Sequence, residues 1–173
     1  MTAASVLKIA RQAAEHYIAT NELPQITWPL PAELLQQRAC YVSIYENPGR
    51  RPRAMYGRPL PQQKSLAEEI VYNTIQAIRL RPSGRLRKVD LSYLGYSVAV
   101  LGLLERITSP VHLNPDRFGL YVRSDRDKSA VILPQRTGIE TPDDQIATAI
   151  RESGIEAGSE AVTMYRFLVT HYD

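Results

Sequence analysis

The chain has 173 residues, of which 44% are hydrophobic and 23% are charged, and its net charge at pH 7 is +3. This composition is ordinary for a globular protein of one domain. The single cysteine, Cys40, excludes an internal disulfide, and no apolar run reaches the roughly 18 residues that a membrane span needs. With no signal sequence at the N-terminus, we expect a cytoplasmic protein without a membrane contact.

The charge is unevenly distributed along the chain. Residues 50–88 hold ten Lys or Arg and two acidic residues, a net of +8, so the remainder carries −5. A basic segment of this kind can attract phosphates or acidic proteins. It is equally typical of solvated, arginine-rich loops. Both interpretations stay open from the sequence.

The first third of the chain predicts one long helix and an ordered connector. Apolar residues recur at three- and four-residue spacing over residues 5–21, which predicts an amphipathic helix. The proline-containing stretch over 22–38 should pack Trp28 against the core, with a helical turn at residues 32–37.

A strand pair and a second helix are predicted next. Residues 39–45 alternate between apolar and polar, which predicts a half-buried strand. A short strand should return around residues 53–57, where the nearby prolines exclude a central strand. Ser65 and Glu68 have the spacing of a capping box, so a helix should begin there.

The last part of the chain predicts strands with one more helix. Residues 96–104 are apolar on both faces, which favours a central strand, and residues 120–133 predict a hairpin. A helix should begin after Thr141 and end at Gly154, and residues 161–172 predict one long closing strand. Together these elements indicate an α+β fold, an antiparallel sheet with packed helices.

Motifs for catalysis or metal binding are absent from the sequence. The glycines form no nucleotide-binding loop, and no G-x-S-x-G motif occurs. His16, His112 and His171 are far apart, and none has a second ligand at metal-binding spacing. The neighbouring acids Glu68 and Glu69 are explained as favourable charge at a helix start. We therefore predict no metal, no cofactor and a buried, unreactive Cys40.

The segments "ACYVSIY", "YSVAVL", "LNPDRFGLYVRSDRDKSAVILPQ" and "VTMYRF" follow one another along the chain, and in this order they resemble the AMMECR domain family, that of AmmeMemoRadiSam-system protein A. The likeness is strongest over "LNPDRFGLYVRSDRDKSAVILPQ", residues 113–135, where members carry a similar "L-x-P-x-x-x-G-L-x-V-R" hairpin followed by "L-L-P-Q". The closing "VTMYRF" is similar to the family's "V-x-V-Y-R-F" strand. "ACYVSIY" and "YSVAVL" are similar to its "A-x-F-V-T-L" and "I-E-V-S-V-L" strands.

The chain departs from the family at its most diagnostic motif, "L-R-G-C-I-G". This motif falls on "PRAMYG", residues 52–57, in which only Arg53 and Gly57 are retained. Met55 stands where the family has cysteine, so thiol chemistry is impossible there. Ser97 stands where relatives usually have glutamate.

The resemblance implies one AMMECR-type domain over residues 1–173, built as two unequal lobes around an open cleft. It implies no settled catalytic activity. Related domains occur with Memo-type and radical-SAM proteins, which suggests a role beside a modification system. The oligomeric state is not predicted.

Three functions remain open. The first is a non-catalytic binding module that holds a small anion or a protein partner in the cleft, and its candidate ligand-binding residues are Arg53, Gly57, Tyr41, Asn73, Arg123 and Gln135. The second is RNA binding through the basic segment, with possible phosphate contacts from Arg50, Arg51, Arg58, Arg85, Arg87 and Lys88. The third is an accessory enzyme in a radical-SAM-linked modification system.

Overall fold

The structure is a computed structural model that describes residues 2–80 and 86–173. Its chain divides into two units, Met1–Val100 with His171–Asp173, and Leu101–Thr170. The helices of the described residues are α1 (Ala3–Thr20), α2 (Ala32–Leu35), α3 (Leu66–Leu80) and α4 (Pro142–Ser153). The strands are β1 (Cys40–Glu46), β2 (Arg51–Gly57), β3 (Leu94–Leu101), β4 (Glu105–Ile107), β5 (Gly119–Ser124), β6 (Ser129–Ile132), β7 (Val162–Phe167) and β8 (Val169–Tyr172).

The first unit is a four-stranded sheet with helices on one face. The strand order is β2-β1-β3-β8, and β1 runs antiparallel to both β2 and β3. Pro52 is tolerated because β2 is an edge strand, where one missing N–H interrupts no ladder. The helices α1 and α3 cover the apolar face of the sheet, where Val42, Ile44 and Val98 are fully buried.

The second unit has its own sheet and its own core. The strand order is β4-β7-β5-β6, in which β7 runs antiparallel to β4 and β5, and β5 runs antiparallel to β6. The helix α4 packs against β5 and β6. Thr141 caps this helix, because its hydroxyl accepts from the Asp144 N–H while the Asp144 carboxylate accepts from the Thr141 N–H at 3.0 Å. The helix ends at Gly154, whose φ of 68° suits glycine.

The α+β class, with antiparallel strands and packed helices, is confirmed. The strands divide between two sheets rather than forming one. The single closing strand predicted over residues 161–172 is wrong, because Leu168 separates β7 from β8 and the two belong to different sheets. At this break Gly102 donates its N–H to the Leu168 carbonyl at 2.8 Å. The strand predicted over residues 96–104 is β3, and it ends at Leu101, one residue before Gly102.

Within the described ranges, no helix combines the length and the apolar character needed to cross a bilayer. The open cleft that the family resemblance implies stays a prediction.

Candidate functional site

One face of the first sheet is polar and free of α1 and α3. Along β1, Cys40, Val42 and Ile44 point into the core, so Tyr41 and the other alternate residues point to the opposite face. We call this surface the polar face, and its residues are Tyr41, Ser43, Tyr45, Met55, Gly57 and Ser97.

The centre of the polar face is a row of three side chains across three strands. Ser43 on β1 lies opposite Met55 on β2 and opposite Ser97 on β3. Residues that face each other in this way have Cβ atoms about 4.5–5.5 Å apart. Met55, at the position of the family cysteine, is 60% exposed. The position is therefore accessible, and it carries a thioether that cannot form a thiolate.

Two tyrosine rings border this row, and each lies over a glycine of a neighbouring strand. A Cβ atom added to Gly57 would lie 2.4 Å from Cγ of Tyr41, and one added to Gly95 would lie 2.1 Å from Cε2 of Tyr45. Each ring thus occupies the space that a side chain would need. This contact explains why the last residue of the "PRAMYG" segment is glycine.

Arg53 lies on β2 at an irregularity of the β1–β2 pair, where the register shifts between Ile44 and Tyr45. Such bulges redirect a side chain. The Nη1 atom of Arg53 is 2.7 Å from Oε2 of Glu46, and the arginine side chain is only 16% exposed. The guanidinium is therefore held in one orientation by a carboxylate.

The predicted ligand-binding residues do not form one group. Tyr41 and Gly57 are in contact and Arg53 is on the same strand as Gly57, as the family motif implies. Asn73 is on α3, on the opposite side of the sheet, and is fully buried. Arg123 and Gln135 belong to the second unit.

The two residues of the second unit have local contacts. Arg123 on β5 pairs with Asp127 at the tip of the hairpin, and this carboxylate raises the pKa of the arginine. Gln135 has a φ of 58° and donates its N–H to the Pro115 carbonyl.

The possible phosphate contacts are only partly free. The Arg50 guanidinium lies 4.1 Å from the centre of the Tyr45 ring and also pairs with Asp173 at 3.2 Å. Arg58 donates to the Tyr56 hydroxyl, which raises the pKa of the arginine.

Among the remaining basic residues, Arg51 and Lys88 are exposed. Arg87 precedes the short helical turn at Lys88–Tyr93, and its Nε lies 3.8 Å from Oδ2 of Asp90. Arg85 lies outside the described residues. The basic segment is thus less strongly positive than its sequence suggests.

A buried polar cluster lies beneath the sheet, and the sequence analysis missed it. Glu69, explained from the sequence as favourable charge at a helix start, is fully buried, and its Oε2 accepts the N–H groups of Gln62 and Gln63, each at 2.8 Å. Asn73 donates to the Cys40 carbonyl at 2.8 Å. Helical spacing could have indicated that these residues are buried, because Glu69 and Asn73 lie on the same face of α3 as its apolar residues.

Cys40 is expected to react slowly with thiol reagents in the folded protein. The thiol is fully buried, and burial raises its pKa to about 12. Because the thiolate is the reactive form, labelling by a maleimide at pH 8 should be slow without denaturant and fast in it. Rapid labelling of the native protein would contradict this placement. A Cys40→Ser variant that unfolds like the wild type but binds a ligand differently would also contradict the prediction that Cys40 is an unreactive core residue.

The polar face lacks the arrangement needed for nucleophilic catalysis. In the described part of the chain, neither Ser43 nor Ser97 is hydrogen-bonded to a histidine, a lysine or a carboxylate that could act as a base. Residues 2–80 and 86–173 also bring no three metal-ligating side chains together. This face supplies hydroxyl groups and aromatic rings, and the fixed guanidinium of Arg53 lies on the same β1–β2 strand pair.

Fold and site together define an α+β protein of two sheets, the first of which has a polar face. The chain matches the AMMECR1 family over residues 7–172, and it belongs to that family.

Two relatives extend this comparison. The chain is 28% identical over 170 residues to a Thermotoga maritima protein described only as "Protein", covering 96% of this chain and 95% of the relative. It also resembles the crystal structure of the uncharacterized protein PH0010 from Pyrococcus horikoshii. That match has a TM-score of 0.82 and 21% identity, and it covers 96% of this chain and 88% of the other. At that identity, the second likeness concerns the fold.

Proposed function

We propose that this protein is a binding module without covalent chemistry, and that its polar face takes the anionic group of a small molecule. The observation that carries the proposal is the state of Arg53, which is mostly buried and held by Glu46 on the β1–β2 strand pair that carries the polar face. An arginine has five N–H donors. Glu46 accepts from Nη1, and no other described residue accepts from this side chain. The remaining donors can therefore serve a ligand.

The neighbouring residues support the same conclusion. Ser43 and Ser97 offer hydroxyl donors, and the rings of Tyr41 and Tyr45 border them. A fixed arginine with nearby hydroxyls suits a phosphate or carboxylate, because charge-assisted hydrogen bonds are about twice as strong as neutral ones. The lone, buried cysteine fits work in a reducing compartment, the cytoplasm.

The test is a calorimetric titration of pyrophosphate against the wild type, Arg53→Ala and the double variant Arg50→Ala/Arg51→Ala at two salt concentrations. Arg53→Ala should weaken binding about tenfold, since a hydrogen bond to a charged group contributes about 1.5–3 kcal/mol. The double variant should weaken binding less than Arg53→Ala does, because Arg50 is already engaged by the Tyr45 ring and Asp173, and Arg51 is exposed.

Glu46→Gln is the matched control. The amide oxygen of glutamine can still accept from Arg53 and keep the guanidinium in place, but the charge that competes with an anion is removed, so binding should tighten. If Arg53 only stabilised the fold, both variants would bind as the wild type does. Equal binding by all variants, or no binding at low salt, would refute the proposal.

A further titration with a single-stranded RNA oligomer distinguishes RNA binding from the binding of a small anion. If RNA binds, the logarithm of its binding constant should fall with the logarithm of the salt concentration. The slope should become shallower by roughly one unit for each phosphate contact that Arg50→Ala/Arg51→Ala removes. That result, with pyrophosphate inactive, would replace the small-anion proposal by RNA binding.

A further inference from the structure

A groove of about 800 Å³ runs along the outer side of α3 in the first unit. One wall is the exposed side of α3 between Glu68 and Arg79, and the other is the connector that contains Leu23, Trp28 and Leu35. Ligand sites typically enclose about 300–1,000 Å³ and are mainly apolar. The groove lies on the helix side of the sheet, away from the polar face, and its argument does not depend on the function proposed above.

The rim of the groove exposes large apolar side chains. Leu23 is 72% exposed and Leu35 is 58% exposed, while Ile75 at the bottom is nearly buried. Single exposed leucines are common on protein surfaces, but apolar residues gathered around one concavity indicate a binding site.

The two ends of the groove carry opposite charges. Glu68 and Arg79 are eleven positions apart on α3, a distance of roughly 16 Å along the helix axis. Arg79 is the one Lys or Arg among the described residues that line the groove, and none of those residues forms an ion pair with it. A ligand with an apolar chain and one anionic end therefore has a preferred direction, with its anion at Arg79.

A second cavity, on the α1 side of the same connector, has the opposite preference. It encloses about 600 Å³, and its described lining includes Glu15, Glu22 and His16 but no Lys or Arg. An anion is disfavoured there by like charge. Charge therefore selects the groove along α3 for an anionic chain molecule.

We infer that the groove along α3 binds a free fatty acid, with the alkyl chain on the Trp28–Ile75 side and the carboxylate at Arg79. Leu23, Trp28 and Ile75 offer apolar surface to the chain, and the wall of about 16 Å is comparable in length with extended laurate. An acyl group that is esterified to a protein lacks the free carboxylate and so lacks the contact with Arg79.

The test uses the fluorescence of Trp28, the only tryptophan of the chain. Laurate, below its micelle concentration, should change this fluorescence to saturation. Octanoate should bind at least tenfold more weakly, since each additional buried methylene strengthens binding roughly three- to fourfold. Arg79→Gln should weaken laurate binding about three- to fivefold, the contribution of an exposed ion pair.

Arg126→Gln, which removes an exposed arginine that does not line the groove, is the matched control and should bind laurate as tightly as the wild type. Methyl laurate should bind equally to the wild type and to Arg79→Gln. Thermal unfolding of each variant checks that the fold is retained. The inference is refuted if laurate gives no saturable change or if Arg79→Gln binds it like the wild type. Equal binding of dodecyltrimethylammonium and laurate would refute it too, since adsorption without charge selection would explain both.

Discussion

Replacing Gly57 by alanine is expected to destabilise the protein by about 1–3 kcal/mol, the usual cost of overpacking a close-packed site. The added Cβ would lie 2.4 Å from Cγ of Tyr41 and 2.6 Å from the carbonyl oxygen of Cys40. The ring can turn away, but the carbonyl belongs to the backbone of β1 and can move only with the strand. Urea unfolding monitored by circular dichroism measures the loss.

A double variant separates the two obstacles to Gly57→Ala. Tyr41→Ala/Gly57→Ala removes the ring and keeps the contact with the Cys40 carbonyl. The double variant should be less stable than Tyr41→Ala alone, and the difference measures the clash between the added Cβ and the Cys40 carbonyl. If Gly57→Ala unfolds at the urea midpoint of the wild type, the contact between Gly57 and Tyr41 is not as close as described.

Replacing Glu69 by alanine is expected to reduce the free energy of unfolding by about 3 kcal/mol or more. One oxygen of this fully buried carboxylate accepts the N–H groups of both Gln62 and Gln63. Each hydrogen bond to a charged group contributes about 1.5–3 kcal/mol, and alanine leaves both donors without their acceptor. The measurement is again equilibrium unfolding in urea.

The neighbouring residue Glu68 is the control for Glu69→Ala. It is exposed, and its carboxylate accepts from the Lys64 N–H at 3.2 Å in the first turn of α3. Glu68→Ala should therefore cost about 0.3–1 kcal/mol, as expected for charge at a helix N-terminus. Similar losses for the two variants would mean that Glu69 does not anchor the segment before α3.

These two predictions concern the surroundings of the altered family motif. Gly57 is one of the two residues that "PRAMYG" shares with the motif, and its role is to leave room for the Tyr41 ring. Arg53 is the other, and it is oriented by Glu46. The cysteine position between them is occupied by Met55 on an exposed part of the sheet. The retained residues thus have structural contacts that do not require a thiol.

Much of the helical structure follows from local sequence. Thr141 and Asp144 have the spacing of a capping box, and both reciprocal hydrogen bonds are formed. Gly154 ends the same helix because glycine adopts positive φ without a steric cost. The alternation along β1 predicted which residues enter the core, since side chains of a strand point to opposite faces in turn.

The sequence by itself therefore determined the longer helices, the inward face of β1 and the α+β class. Only the tertiary structure decided the strand partners, which place Met55 opposite Ser43 and Tyr41 over Gly57. It also decided that Glu69 is buried and that the chain changes sheets at Leu168. The physical reason is that periodicity and caps act over a few residues. Register, strand order and the partners of a buried carboxylate depend on segments distant in sequence, whose pairing no local pattern specifies.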